Sequence, residues 1–424
     1  MDEAGTQAAR ATPPAGPARN NGRLLRWMIG VGAVLCMCLL GLVLLVFMAG
    51  IVGVVPLLLG LVLAVIPAPL YLTLALWVDR FEKEPAWMLA GAFLWGATVA
   101  TFFSFIANRA GGFLVAALFG QEVTAFYLPV ISAPIVEEIC KGLALFILFW
   151  WKKDEFDGVL DGIIYAAMVG LGFAMVENFL YYGRGLMFGG FGGMLEIFGL
   201  RGVISPFIHP IFTAMTGIGL GLARQSSRTR IRFLAPVLGL LAAMLLHSLW
   251  NLSGFLLEMP AYNALGVLGV YALYVLLYLP LLLAALLLVL FALRREGGIV
   301  RRNLAPELSS GLLEDSEYDA LSSVRGRLGA SFGAWRKDGF GGWRANSRFG
   351  QTATELAFHR DRIQRGITSS EDSEREAAYL RILREYAQRN HEEMNETART
   401  DSARTESVES SMKTATQEPE REEK

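Results

Sequence analysis

The sequence contains few cysteines and few charges. Only three of its 424 residues are cysteine, and all three lie in apolar runs without a CxxC pair. A disulfide framework and a cysteine-rich zinc site are therefore excluded. Charged residues make up 18% of the chain and the formal net charge is −1, whereas a soluble domain carries about 25% charge. Without a basic excess, the chain does not bind nucleic acid through bulk positive charge.

The charges that are present divide the chain into two parts. Residues 1–293 contain 16 basic and 15 acidic side chains, whereas the shorter segment 294–424 contains 22 and 24. Apolar residues make up 54% of the whole chain and are concentrated in the first part. This pattern predicts a body embedded in a lipid bilayer, followed by a tail that faces water.

Eight apolar stretches are long enough to cross a membrane, which requires roughly 20 residues in a helix. They span about 28–50, 55–78, 86–107, 128–151, 158–182, 202–223, 233–257 and 264–293. Arginine and lysine are concentrated in alternate connecting segments, which predicts that both termini are cytoplasmic. The expected fold is an all-α polytopic membrane protein in which Pro56, Pro67 and Pro69 bend the second span.

Two connecting segments have unusual compositions. Residues 108–127 are apolar but short and interrupted by glycine, so we expect an interfacial or re-entrant segment on the outer side. Residues 183–200 are rich in glycine, and we expect a flexible loop there.

The predicted domains are a cytoplasmic N-terminal segment at 1–27, a transmembrane domain at 28–293, a cytoplasmic helical extension at 294–393 and a disordered tail at 394–424. Apolar spacing favours helices at 306–323, 351–366 and 370–393, the last beginning near Ser370. The final segment is rich in Ser, Thr and Glu, as is typical of disorder. We expect the extension to be a solvated amphipathic appendage; the alternative is a regulatory module with a cytoplasmic partner.

The ionisable groups within the predicted spans are few, and each is costly in a bilayer. Away from the helix ends they include Glu137, Glu138, Lys141, Glu177, His209 and His247. In the predicted topology they lie in one layer, roughly 8–15 Å below the outer surface at 1.5 Å per residue. A common depth on four consecutive helices favours one shared site over a scattered structural network.

Several chemistries fit such a layer. Lys141 is three and four residues from Glu138 and Glu137, so it can neutralise a carboxylate on the same helical face. A buried carboxylate can activate water for peptide hydrolysis while His and Asn N–H groups hold the oxyanion. Alternatively, Glu and His can bind zinc, although no HExxH motif is present. A proton-coupled transporter also uses buried Glu and His, but no inverted repeat is visible, and a non-catalytic scaffold is the third alternative.

Four motifs on successive predicted helices carry a family resemblance. They are EEICK at Glu137–Lys141, FAMVEN at Phe173–Asn178, HPIFTAMTG from His209 and HSLWN at His247–Asn251. In this order they resemble the PrsW family of intramembrane proteases, over about residues 55–260. The stretches DRFEKEP at 79–85 and FDGVLDGIIYAAMVGLGFAMVENFLY at 156–181 are also similar to that family.

The resemblance implies roles for these residues. Glu137 is expected to be the general base with Glu138 supporting it, and His247 with Asn251 to form the oxyanion site. His209 is expected to be a ligand or donor facing the cavity. Glu177 stands where related prenyl-protein endopeptidases carry a histidine, so its role departs from theirs. The supporting residues are Lys141, Phe173, Asn178 and Asn251.

The same resemblance implies a cofactor, a substrate class and a location. A divalent metal such as zinc is expected to bind through Glu177, His209 and His247, unless the mechanism uses glutamate alone. The substrate is expected to be a single-pass membrane protein such as an anti-sigma factor, cut near the outer leaflet. The expected location is a bacterial plasma membrane.

Overall fold

The computed structural model describes residues 21–81, 83–153, 155–257, 266–366 and 372–389, which contain helices and no strand. The predicted disordered tail, most of the predicted N-terminal segment and the predicted helix start at Ser370 lie outside these residues. The α-helices are α1 (Asn21–Val52), α2 (Val54–Val65), α3 (Ala68–Val78), α4 (Ala86–Leu94), α5 (Thr101–Tyr127), α6 (Ala133–Trp151), α7 (Val159–Phe198), α8 (Ile208–Gln225), α9 (Thr229–Leu257), α10 (Gly266–Asn303), α11 (Ala305–Ser309), α12 (Asp315–Leu321), α13 (Val324–Gln364) and α14 (372–389). Short π-helical segments connect α4 to α5, α5 to α6, and α7 towards α8.

Six helical stretches in this part of the chain are long and apolar enough to cross a membrane, which confirms the polytopic all-α prediction. Two of them, Ala86–Trp151 and Val159–Gln225, are 66 and 67 residues long. At 1.5 Å per residue an unbroken helix of this length would extend roughly 100 Å, far beyond the ~30 Å hydrocarbon core. Each contains two of the predicted spans. The count of eight and the side on which the termini lie stay predictions.

Backbone breaks interrupt the long stretches. Gly120 in α5 and Gly190 in α7 have φ values of +85° and +62°, which glycine adopts without steric cost. The second apolar stretch is broken between α2 and α3 at Pro67, as the prolines predict. Residues 108–127 form most of α5, and their placement at the outer surface stays a prediction.

The predicted loop at 183–200 is helical, so that prediction is wrong. Here α7 continues to Phe198 and reverses direction at Gly190. The two arms approach so closely that a methyl group on Gly185 would lie 2.8 Å from the carbonyl oxygen of Gly193. The glycines of this segment let two helical arms approach backbone to backbone. The segment is therefore helical despite its glycine content.

Helix α7 is the centre of the transmembrane body, and glycines set its distance from α8. A methyl group on Gly162 would lie 2.2 Å from the carbonyl oxygen of Gly217, and one on Gly170 would lie 2.6 Å from the nitrogen of Pro210. A larger side chain does not fit at either glycine unless the helices separate. Because Pro210 follows His209 and Glu177 lies two turns beyond Gly170, this contact holds both side chains in reach of one another.

The extension after α10 packs against the transmembrane body, so a solvated appendage is the wrong description for residues 351–366. Leu356, Ala357 and Phe358 on α13 are buried in one apolar core with Phe156 and Leu160, which flank the start of α7. Two arginines of α13 also pair with the carboxylate that precedes α7: Arg362 at 3.5 Å and Arg365 at 3.2 Å from Asp157. The sequence predicted helices here but not the docking.

Candidate active site

Four helices bring ionisable side chains together in the transmembrane body. Helix α6 contributes Glu137, Glu138 and Lys141, α7 contributes Glu177, α8 contributes His209, and α9 contributes His247. We call these six side chains the polar cluster. Glu138 and Lys141 have no exposed surface. The side chains that the sequence placed at one depth therefore do lie in mutual contact.

Lys141 is at the centre of the polar cluster. Its Nζ lies 2.8 Å from Glu138, 3.5 Å from Glu137 and 3.1 Å from Nδ1 of His209. It also lies 3.8 Å from the centre of the Phe173 ring, a favourable cation–π contact. These contacts supply the buried ammonium group with opposite charges, hydrogen-bond partners and an aromatic ring.

Glu138 fixes the orientation of His247. One of its oxygens accepts hydrogen bonds from Lys141 and from Nδ1 of His247 at 3.0 Å, and the other accepts one from Thr213 at 3.1 Å. Because Nδ1–H is donated, the lone pair of His247 lies on Nε2, which is 3.9 Å from Glu137. A carboxylate behind a histidine in this way sets the tautomer that a metal ligand requires.

Glu177 pairs with Arg201, to which the sequence motifs assigned no role. It accepts hydrogen bonds from Arg201 and, at 2.9 Å, from Nε2 of His209. Arg201 also donates to Asn178 at 2.7 Å. The available signal was an isolated arginine just before the predicted sixth span, on the side where basic residues are scarce.

Asn251 is one turn from His247, but the hydrogen bond that its side chain makes is not to the polar cluster. The amide donates to the carbonyl of Pro129 at 2.9 Å, in the π-helical segment that precedes α6. It therefore connects α9 to α6 and makes no described hydrogen bond with the polar cluster. Its predicted role at an oxyanion is not supported by this contact.

Three members of the polar cluster are arranged as a possible metal site. Glu137, His209 and His247 each offer one ligand atom, and these atoms all lie within 4.8 Å of one another. Two imidazoles and one carboxylate form a donor set used by catalytic zinc sites. His209 contacts Lys141 and Glu177 through its two ring nitrogens, so it must release one of them to bind a metal. The family resemblance implied Glu177 as the carboxylate ligand, whereas the structure groups Glu137 with the histidines.

The polar cluster and Arg201 together contain more carboxylates than cations. Three carboxylates, at Glu137, Glu138 and Glu177, are opposed by the two permanent cations, Lys141 and Arg201. With neutral histidines, a proton on one carboxylate or a bound cation balances the difference. Such a surplus of carboxylates in a buried site favours the uptake of a proton or a cation.

A small cavity reaches the polar cluster from between α7, α8 and α10. Its lining residues include Asn178, Arg201, Ser205, His209 and Tyr274. His209 is thus both a member of the cluster and part of the cavity wall.

Comparison with known proteins gives one family. Residues 84–285 match the PrsW family of intramembrane metalloproteases. The chain is 30% identical to Protease PrsW of Oceanobacillus iheyensis over 177 residues, which cover 41% of this chain and 73% of that relative. It is 28% identical to Protease PrsW of Bacillus subtilis over 180 residues, covering 41% and 72%. No solved structure matches the chain.

These relatives and the apolar helices agree on location and chemistry. The relatives are bacterial, and the described helices include several long enough to cross a bilayer, so the chain is a multi-pass protein of a bacterial cell membrane. Similarity to proteases favours hydrolysis over the transporter considered from the sequence.

Proposed function

Because this chain belongs to the PrsW family and is therefore an intramembrane protease, we propose that it cuts single-pass membrane proteins at the polar cluster. The observation that carries the proposal is the grouping of Glu137, His209 and His247 within 4.8 Å in the transmembrane body. A membrane-anchored anti-sigma factor is the substrate that we propose. The predicted depth of the cluster supports a cut near the outer leaflet.

We assign Glu137, His209 and His247 as the residues that hold a divalent metal such as zinc. When bound, zinc in such a site polarises a carbonyl and acidifies water. Glu138 holds His247 in the required tautomer through Nδ1, and Lys141 compensates the charge of Glu138. Thr213 donates to the remaining oxygen of Glu138, so this carboxylate positions its neighbours and is not free to take a proton.

Glu177 is the carboxylate that we assign to proton transfer. Its side chain is 17% exposed, and the hydrogen bonds from Arg201 and His209 both go to Oε2, so that Oε1 is left to accept a proton. Because Asn178 and His209 line the cavity, we place the attacking water there. In the proposed reaction a water oxygen attacks the peptide carbonyl carbon, and Glu177 accepts the proton that the water loses. The carbon–nitrogen bond then breaks, and Glu177 delivers that proton to the departing amine. Arg201 keeps the carboxylate oriented throughout.

A metal-independent alternative gives the same product with different roles. In that reaction Glu137 is the general base and His247 stabilises the oxyanion, as the family resemblance implies. Elemental analysis of the purified protein separates the two. In the metal-dependent reaction, bound zinc is stoichiometric in the wild type and in Glu177→Gln, and is lost in His247→Ala.

A cleavage assay tests the proposal. The full-length protein is reconstituted in liposomes with a fluorescent single-pass reporter, and Glu137→Gln is compared with Glu122→Gln, the same change at an exposed glutamate. We expect Glu137→Gln to lose at least about 100-fold in rate, because it removes a metal ligand or, in the metal-independent reaction, the general base. Glu122→Gln should keep the wild-type rate. Equal rates for Glu137→Gln and the wild type would show that the polar cluster is not the active site. An active, zinc-free enzyme that still requires Glu137 would contradict only the metal assignment.

A further inference from the structure

The first part of α13 forms a helical hairpin that the protease site does not explain. The helix bends at Asp338 and Gly339, and the two arms then run side by side. Asn346 donates to the Ser331 hydroxyl across the arms at 3.2 Å, and a methyl group on Gly342 would lie 2.5 Å from a carbonyl oxygen of the first arm. We call residues 324–350 the hairpin.

The hairpin places its large apolar side chains on the outside. The residues between the arms are small or polar, whereas five large apolar side chains are 41–67% exposed: Leu328, Phe332, Trp335, Phe340 and Trp343. A hairpin in water normally buries such residues between its arms. This hairpin is not among the apolar stretches that could cross a bilayer, so crossing does not account for the exposure.

The exposed side chains share one side of the hairpin. In the first arm Leu328, Phe332 and Trp335 follow an i, i+4, i+7 spacing, which aligns them on one helical face. At 3.6 residues per turn, this face is about a quarter turn from the face that meets the second arm. Phe340 and Trp343 are displaced from the inter-arm face of their own arm in the same helical sense. Because the arms are antiparallel, both stripes point to the same side.

The hairpin also carries a strong positive charge. Residues 324–350 contain six basic side chains and a single acidic one, Asp338. At and beside the bend, Arg336, Lys337 and Arg344 are exposed. A basic helix pair with Trp and Phe on one side is typical of segments that lie in a bilayer interface.

The hairpin is held at the end of a membrane-spanning stretch. Arg327 at its base donates to the carbonyl of Arg80 at 3.0 Å, two residues after the apolar stretch Val54–Val78 ends. Trp343 of the second arm lines the same cavity as Trp77 near the end of that stretch. The aromatic side chains are thus anchored beside a helix end, where lipid headgroups lie.

We propose that the hairpin binds the headgroup region of the adjacent leaflet, with its aromatic side in the bilayer interface and its basic residues on anionic lipids. The charge is complementary to an anionic membrane surface. The same aromatic side would also suit a second copy of the chain, and the experiment distinguishes that occupant.

Site-specific fluorescence in vesicles tests the proposal. A polarity-sensitive dye is attached to Phe332→Cys, or to Ala345→Cys as the matched control, which is exposed on the other side of the hairpin. Cys36 and Cys38 are replaced by serine, and the chain without an added cysteine corrects for labelling of Cys140. The full-length protein is placed in phosphatidylcholine vesicles with or without phosphatidylglycerol, and quenching by the neutral solute acrylamide is measured.

With phosphatidylglycerol present, we expect the dye at position 332 to emit at shorter wavelength and to lose at least about half of its quenching, because interfacial helices are buried by roughly 5–10 Å. The dye at position 345 should stay fully quenched. Replacing Arg336, Lys337 and Arg344 by glutamine should restore quenching at 332. Equal quenching at both positions in anionic vesicles would overturn the proposal. If the protection from quenching at position 332 disappears when the protein is diluted in lipid, the lipid proposal is overturned, and the aromatic side is covered by a second copy of the chain.

Discussion

Glu138 and Lys141 are a fully buried ion pair, and the cost of burying each charge is offset by the other, by the contacts of Lys141 with Glu137 and Phe173, and by hydrogen bonds. Removing one partner of such a pair leaves the other uncompensated, at about 3–5 kcal/mol. We expect Glu138→Gln to lower the thermal unfolding midpoint of the solubilised protein well below that of Glu122→Gln. Because Glu138 also holds His247, metal affinity should fall about 10–100-fold, measured by competition with a chelator.

Asp79 gives a pH-dependent prediction outside the membrane-spanning stretches. Burial raises the pKa of Asp79 to about 6, although the Glu84 N–H and Lys83 partly oppose the rise. The folded state therefore holds its proton when the unfolded state has lost it, and stability declines from pH 4 to pH 6. At about 1.4 kcal/mol per pKa unit the decline is about 2–3 kcal/mol.

The test of this sign is the pH dependence of the unfolding midpoint. Asp79→Asn should be more stable than the wild type at pH 7, and the difference should shrink towards pH 4. The same replacement at exposed Asp319 serves as the control. A difference that grows as the pH falls would contradict the assigned direction.

At the residue scale, local spacing predicted more than long-range pairing did. The contact of Lys141 with Glu137 and Glu138 follows from positions three and four apart on one helix. The pairing of Arg201 with Glu177 joins residues 24 apart across the reversal of α7 at Gly190, and no periodicity encodes that reversal. Asn251 shares a face with His247, but a shared face does not specify which neighbour its amide bonds.

Among the elements, α7 and α8 depend on their glycine contacts. We expect Gly170→Ala to force α8 outward, with a cost of about 1–3 kcal/mol, and to reduce cleavage because His209 moves with Pro210. Gly91→Ala is the matched control, since a methyl group there meets nothing within 4 Å. Both variants are measured by reporter cleavage in liposomes. Wild-type activity in Gly170→Ala would show that the contact between Gly170 and Pro210 does not determine the site.

The glycine-rich segment 183–200 shows why composition misled the sequence analysis. Glycine weakens a helix in isolation and is common in loops. In a bilayer it also lets two helices approach closely, and Gly185 against Gly193 is such a contact. The partner of a glycine, which decides between the two uses, is not visible in the sequence.

For the whole molecule, the docked extension is a structural part of the protein. Leu356 is completely buried between α13 and the transmembrane body. We expect Leu356→Ala to destabilise the docked extension by about 2–5 kcal/mol and to speed its removal by added protease. Ile382→Ala, at a side chain 48% exposed, should have little effect, and equal proteolysis of the two variants would contradict the docking.

The sequence predicted the membrane body and the helices of the extension, but not how they fit together. The apolar periodicity of residues 351–366 correctly indicates a helix. The apolar face of this helix packs against the transmembrane body, and not only against other parts of the extension. The pairing of Arg365 with Asp157 joins positions 208 residues apart. Nothing in either local pattern indicates the other.

The surplus of one carboxylate at the polar cluster implies a trade-off between stability and catalysis. A protein selected only to stay folded would balance three carboxylates with three cations, or omit one of them. Glu137→Gln makes that correction, since it leaves two carboxylates against Lys141 and Arg201. The inactive variant should therefore unfold at a higher temperature than the active enzyme, because active sites often retain charges that oppose folding.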